Sequence, residues 1–208
     1  MEQTFCFVDL AGFSALTETH GDETAANLIE RFTAVVEEVR EGEGQLVGTN
    51  GDAVFLVARE PVRALAILGR LWRRVESERD FPTLRAGLHH GEAAQRAHQF
   101  YGTAVNIAAR VAAQASGGEV LGTEPIATAA RAAGIFVRPL GRVTLKNLRD
   151  ALELFSIAVA GEARTEIIDP VCRMRVVPED AGAHLELDGE EYWFCSRECL
   201  RLFVGEGR

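Results

Sequence analysis

Apolar residues run without a break from Phe5 to Val8 and stop at Asp9, a pattern that predicts a short buried strand over residues 4–9 with a carboxylate at its tip. Leu28, Ile29, Phe32, Val35, Val36 and Val39 then recur at three- and four-residue spacing, predicting a helix over 23–40 with Asp22 as its N-cap. Two apolar runs, 45–48 and 53–58, flank Asn50-Gly51, the strongest short hairpin signal, and Asp52 follows the turn at once. Pro61 opens a second helix to about residue 76. A strand over 84–91, a loop or short hairpin arm over 95–102, and a small-residue helix over 103–115 ended by Gly117-Gly118 come next. A short strand at 119–121, a helix over 123–132 and three strand candidates at 136–137, 142–145 and 152–159 complete the pattern. Strands alternating with helices and closing in a hairpin-like pair predict an α/β (α+β) fold, one sheet with helices packed on it.

After this domain, expected at 1–159, residues 160–168 have few large apolar side chains and read as a linker; 169–208 differ in composition and hold three of the four cysteines. The length of 208 residues supports one sizeable core and a small appendage. A formal net charge of −9 argues against nucleic acid as a partner, because phosphate backbones need a basic surface. No run approaches the roughly 20 apolar residues that span a bilayer, and Met1 to Thr4 lack the basic-then-apolar pattern of a signal peptide, so no membrane is expected and the location expected is cytoplasmic.

Asp9 and Asp52 converge if their strands are neighbours, and two convergent carboxylates suit hard divalent cations such as magnesium. The same two residues also suit a helix cap and a turn residue. Asn106 and Arg110 lie four apart, on one face of a helix whose neighbours are small and apolar. An amide and a guanidinium so placed can hold a ribose and a phosphoryl transition state, or can simply be an exposed polar stripe.

Phe-Val-Asp-Leu-Ala-Gly-Phe-Ser, Gly-Thr-Asn-Gly-Asp-Ala-Val, Leu-Arg-Ala-Gly-Leu-His-His-Gly and Tyr-Gly-Thr-Ala-Val-Asn-Ile-Ala-Ala-Arg occur in this order, and roughly residues 3 to 159 thereby resemble the class III adenylate/guanylate cyclase catalytic domain. The resemblance implies a ferredoxin-like core and a head-to-tail homodimer with two active sites shared at its interface. It implies conversion of a nucleoside triphosphate, ATP or GTP, to 3′,5′-cyclic nucleotide and pyrophosphate with two Mg²⁺ or Mn²⁺ ions. Asp9 and Asp52 match the metal-binding aspartates, Asn106 the ribose-orienting asparagine, Arg110 the transition-state arginine and Lys146 a phosphate-facing lysine. The resemblance implies that Asp9 and Asp52 come from one subunit and Asn106 and Arg110 from the other. The base-reading positions depart from the family: Gly48 stands where a lysine is usual and Gln99 where an aspartate or threonine is usual. Glycine cannot read a base edge, whereas glutamine offers both a donor and an acceptor.

Cys172, Cys195 and Cys199 have the spacing Cys-x22-Cys-x3-Cys, three soft ligands that suit zinc or copper(I), or else a buried trio packed with Tyr192, Trp193 and Phe194. Zinc in a structural site takes four ligands, and His184 and Asp169 are the candidates for the fourth. About residues 167 to 205 resemble the YHS domain, a module found fused to metal-handling proteins, with Arg173 where that family commonly has glycine. The expected activity is therefore a nucleotide cyclase in cyclic-nucleotide signalling. Two alternatives stay open: a weakly catalytic homologue that senses nucleotide or metal, and an interaction protein working through its YHS module.

Overall fold

The computed structural model describes residues 1–78, 80–146, 148, 150–160 and 167–205. Strand β1 (Glu2–Leu10) is followed by helices α1 (Phe13–His20) and α2 (Asp22–Arg40) and the hairpin β2 (Gly44–Asn50)–β3 (Ala53–Ala58). Helix α3 (Pro61–Glu76) leads to β4 (Leu84–Glu92), the small hairpin β5 (Ala94–Arg96)–β6 (Gln99–Tyr101) and α4 (Thr103–Ala112). Then come β7 (Val120–Thr123), α5 (Glu124–Ala132), β8 (Val137–Val143) and β9 (Leu152–Ile157). The seven strands outside the small hairpin form one sheet, order β2-β3-β1-β4-β7-β9-β8, parallel only between β4 and β7. Its first four strands, β2-β3-β1-β4, with their intervening helices make the ferredoxin-like unit.

Alternation along β1 divides its side chains between two layers. Cys6, Val8 and Leu10 face a core built with α2, α3 and α5, where Phe32, Leu68, Leu71 and Ile126 are fully buried. Phe5 and Phe7 face the opposite side with Phe55, Phe100 and the alanines of α4. Helix α4 lies unusually close to the sheet there. A Cβ on Gly87 would sit 1.9 Å from the backbone nitrogen of Ala112, so glycine at this position is what allows the approach.

The sequence pattern predicts no element over 13–20, where α1 forms, and differs from the structure in three further places. Gly21, with φ 83°, separates α1 from α2, and Asp22 is the first helical residue rather than the cap. Candidates 136–137 and 142–145 are one strand, β8, continuous through a register shift between Pro139 and Gly141 that hid it from a period-two reading. The helix expected to 115 ends at Ala112. Of the expected linker at 160–168, residues 161–166 lie outside the described residues.

The chain continues into the hairpin β10 (Ala183–Leu187)–β11 (Glu190–Phe194) and α6 (Arg197–Gly205). This small unit shares its core with the large one: Cys172, Met174, Phe194 and Cys199 are buried in the same cluster as Leu10, Leu16 and Phe81. It docks at the end of the sheet where β1 stops and β4 starts, through a bridge between Pro82 and Met174.

His89 and His90 are structural: His89 Nδ1 is 2.7 Å from Thr123 Oγ1 and His90 Nδ1 is 2.9 Å from Thr4 Oγ1. Burial lowers the His89 pKa to about 4 from 6.5, helped by the neighbouring His90. The unfolded chain therefore takes up this proton first. The resulting contribution is intact above pH 6.5 and lost as pH falls towards 4, so thermal melts should show a shallower acid limb in His89→Asn than in the wild type. Gly87→Ala should destabilise by about 3 kcal/mol, read as a fall in Tm of roughly 6–12 °C, because α4 must move off the sheet.

Candidate functional site

The register of β1 assembles the first group of residues. On one edge Asp9 pairs with Ala53, the residue after Asp52; on the other it pairs with Arg85. Arg85 donates from Nε to Asp9 Oδ2 at 2.8 Å, and its Nη2 reaches the same oxygen. Asp9 Oδ1 is buried with no hydrogen-bond partner among the described residues. The half-buried Asp52 lies against Asp9, and its pKa is pushed up to about 7, first by burial, then by hydrogen bonding to the Asp9 side chain and by the charge of that carboxylate. Two facing carboxylates, one with an orphaned oxygen, and a single guanidinium leave a place that a hard divalent cation fits. Arg85 belongs to the Leu-Arg-Ala-Gly-Leu-His-His-Gly motif, whose spacing assigns it no role. Its position two strands from Asp52 appears only once β1 is known to lie between β3 and β4.

The other residues of the predicted site are on the surface of the single chain. Asn106 and Arg110 are exposed one turn apart on α4, on the same side of the sheet as Asp9. Gln99 is exposed on β6 and Lys146 in the turn after β8; Asn147 lies outside the described residues. Gly48 is exposed beside a bulge in β2, and a Cβ there would meet nothing within 4 Å. Its lack of a side chain is thus not imposed by packing or by backbone conformation. A cleft of about 370 Å³ between α3, β9 and Arg175 contains none of these residues.

The second group is a cluster of thiols. Cys172 Sγ is 3.3 Å and Cys199 Sγ 3.7 Å from Cys195 Sγ, and all the cysteines are unbridged. Hydrogen bonds from Cys172 and Cys195 hold the Cys199 thiol well below its ordinary pKa, while Cys172 is pushed up by the same cluster. The fourth member is neither His184 nor Asp169. His184 is exposed on β10, its ring tilted against Trp193 with centroids 4.2 Å apart, and 3.8 Å from Glu191. Asp169 is buried and occupied, accepting backbone N–H bonds from Val171 and Cys172 on Oδ1 and from Cys195 on Oδ2. The residue that does join is His20, the last of α1, with Nε2 3.4 Å from Cys195 Sγ. The ligand atoms of His20, Cys172, Cys195 and Cys199 all lie within 4.8 Å of one another. A lone histidine at a helix end, 152 positions before the first of these cysteines (172 − 20), leaves no spacing signal to find.

Residues 167–206 match the YHS domain model. Over 166 residues the chain is 32% identical to a pH-sensitive adenylate cyclase of Mycobacterium tuberculosis, covering 78% of this chain and 42% of that protein. The chain therefore spans about two fifths of that relative's length. Among solved structures, an adenylate cyclase of Trypanosoma brucei in its monomeric state superposes with a TM-score of 0.69 at 19% identity, over 85% of this chain and 95% of that one. The guanylate cyclase domain of a Catenaria anguillulae protein, in complex with GTP, gives 0.60 at 17% identity, over 75% and 95%. The large unit has the fold of class III cyclase catalytic domains, and the small one is a YHS domain.

Without a divalent cation the Asp9–Asp52 pair carries like charges that repel. Asp52→Asn should raise stability at pH 8 in a chelator by about 1 kcal/mol after solvent screening, or about 2–4 °C in Tm. Added Mn²⁺ should stabilise the wild type and not the variant. A variant that melts below the wild type in chelator would show that the carboxylates do not oppose each other.

Proposed function

We propose that this chain, a YHS domain joined to a body with the fold of class III cyclase catalytic domains, is a nucleotide cyclase that makes 3′,5′-cyclic nucleotide and pyrophosphate from ATP or GTP. The observation that carries the reading is the Asp9–Asp52 pair at the end of β1, with a buried carboxylate oxygen that no described donor meets. Mg²⁺ or Mn²⁺ bound there would polarise the α-phosphate and lower the pKa of the ribose 3′-hydroxyl. Asp9 and Asp52 hold the cations, and Arg85 keeps the Asp9 carboxylate in one orientation. Asn106 orients the ribose, Arg110 meets the charge that develops on the transferring phosphoryl group, and Lys146 faces the phosphates.

Two chains are needed in this reading. Asn106 and Arg110 are exposed on α4, which suits residues that complete the site of a partner in a head-to-tail homodimer. The half-buried, stacked rings of Phe7 and Phe55, with centroids 4.5 Å apart, give the face beside Asp9 an apolar surface for such a contact. The reading assigns the protein to the cytoplasm, where its substrate is found; among the described residues no helix is long and apolar enough to cross a membrane.

A second reading is favoured by Gly48, which offers the base no side chain although the backbone leaves room for one. In it the chain binds nucleotide at the phosphate end, turns over slowly and acts as a sensor. One set of assays separates the two. Incubation with ATP or GTP and Mn²⁺ should give cyclic product, and Arg110→Ala should lower kcat on the order of 100-fold or more. Mixing inactive Asp52→Ala and Arg110→Ala chains should restore part of the activity, since one complete site forms across the mixed dimer. Gly48→Lys should melt with the wild type and raise turnover of ATP. No product at high enzyme concentration with nucleotide still bound selects the sensor; loss of nucleotide binding as well removes both readings.

A further inference from the structure

We infer that His20, Cys172, Cys195 and Cys199 form one metal site shared between the two units, that its occupant is Zn²⁺, and that filling it clamps the YHS domain onto the segment that follows Asp9. The donor set is three sulfurs and one imidazole nitrogen, a combination that structural zinc sites use. With Zn–S of about 2.3 Å and Zn–N of about 2.0 Å, tetrahedral ligands sit about 3.8 Å apart between sulfurs and about 3.5 Å apart between sulfur and nitrogen. The separations from Cys195 Sγ are 3.3 Å to Cys172 Sγ, 3.7 Å to Cys199 Sγ and 3.4 Å to His20 Nε2, and all four ligand atoms lie within 4.8 Å of one another, close enough for one ion to draw them into such a shell. A shell of four closed by protein atoms is what distinguishes this site from the three-cysteine set that the small unit offers alone. The inference rests on the thiol cluster and is independent of the cyclase reading.

The source of the fourth ligand gives the site its consequence. His20 terminates α1, and α1 begins at Phe13, four residues after Asp9. A second connection runs in parallel. The Thr83 N–H donates to the Arg173 carbonyl at 3.0 Å, and the Ala11 N–H donates to the Thr83 carbonyl at 2.8 Å. The Arg173 side chain also lies over Gly12, where an added Cβ would come within 2.6 Å of its Cγ. Arg173 itself has φ 61°, a left-handed conformation that accounts for glycine being usual at this position. A cation joining Cys172, the residue before Arg173, to His20 therefore holds both ends of the Ala11–Gly12 turn.

The probe is Co²⁺, whose absorption reports ligands and geometry, titrated into the full chain and displaced by Zn²⁺. The expected result is one Co²⁺ per chain, with thiolate-to-cobalt charge transfer and the intense visible bands of a tetrahedral site. His20→Ala should shift those bands and weaken binding on the order of 100-fold or more, while His184→Ala changes neither. His20→Cys should restore tight binding, which a merely structural role for the histidine would not produce. Zinc should also slow hydrogen exchange at the Ala11 and Thr83 amides in the wild type and not in His20→Ala. A cobalt spectrum and affinity unchanged in His20→Ala overturn the shared site. Tight Cu⁺ binding with no uptake of Co²⁺ or Zn²⁺ overturns the choice of ion, and zinc binding without slowed exchange at Ala11 and Thr83 overturns the clamp.

Discussion

Strand β1 is hydrogen-bonded along both edges, and that constraint places a carboxylate where it cannot be solvated freely. Pairing with β3 brings Asp52 to one side of Asp9, and pairing with β4 brings Arg85 to the other. The guanidinium meets one oxygen of Asp9 and leaves the other without a described donor, while Asp52 is held against it at a raised pKa. A fold built on hydrophobic burial alone would not keep such a group, since an unmet buried carboxylate oxygen costs free energy. In the proposed reading, a bound divalent cation offsets this cost.

The two faces of the sheet then take different tasks. One is sealed by α2, α3 and α5 over a continuous core and supplies rigidity. The other carries α4, drawn close by Gly87, and Phe100 of the small hairpin, with Asn106 and Arg110 left exposed on the same side as Asp9. Tight seating of a small-residue helix fixes the direction of two exposed polar side chains without burying them. Such an arrangement suits residues that act on a neighbouring chain. In the proposed reading the end that would meet the base is less complete, because Gly48 is open and carries no side chain.

The YHS domain adds about forty residues that would be marginal as an isolated fold, and the structure gives them a support. Its buried Cys172, Met174, Phe194 and Cys199 continue the large core, and the Asp169 carboxylate ties the two cysteine-bearing loops together. The docking surface is the end of the sheet that carries Asp9, with Arg173 against Gly12, three residues past that carboxylate.

Local pattern was enough for much of this protein. The apolar run ending at Asp9, the Asn50-Gly51 hairpin before Asp52, the helix opened by Pro61, and Asn106 four residues before Arg110 were all legible, because each depends on contacts within a few positions in the chain. The Cys-x22-Cys-x3-Cys spacing marked the thiols in the same way. Residues whose role depends on distant partners left no such trace. Arg85 gains its role from strand order, Arg173 from the glycines it lies over, and His20 from a contact with Cys195, 175 positions away. The sequence by itself therefore determined most elements of the large unit and marked the candidate side chains. Tertiary structure alone decided that the fourth member of the cysteine cluster comes from the large unit, because convergence of distant segments is set by how the sheet and helices pack and not by spacing along the chain.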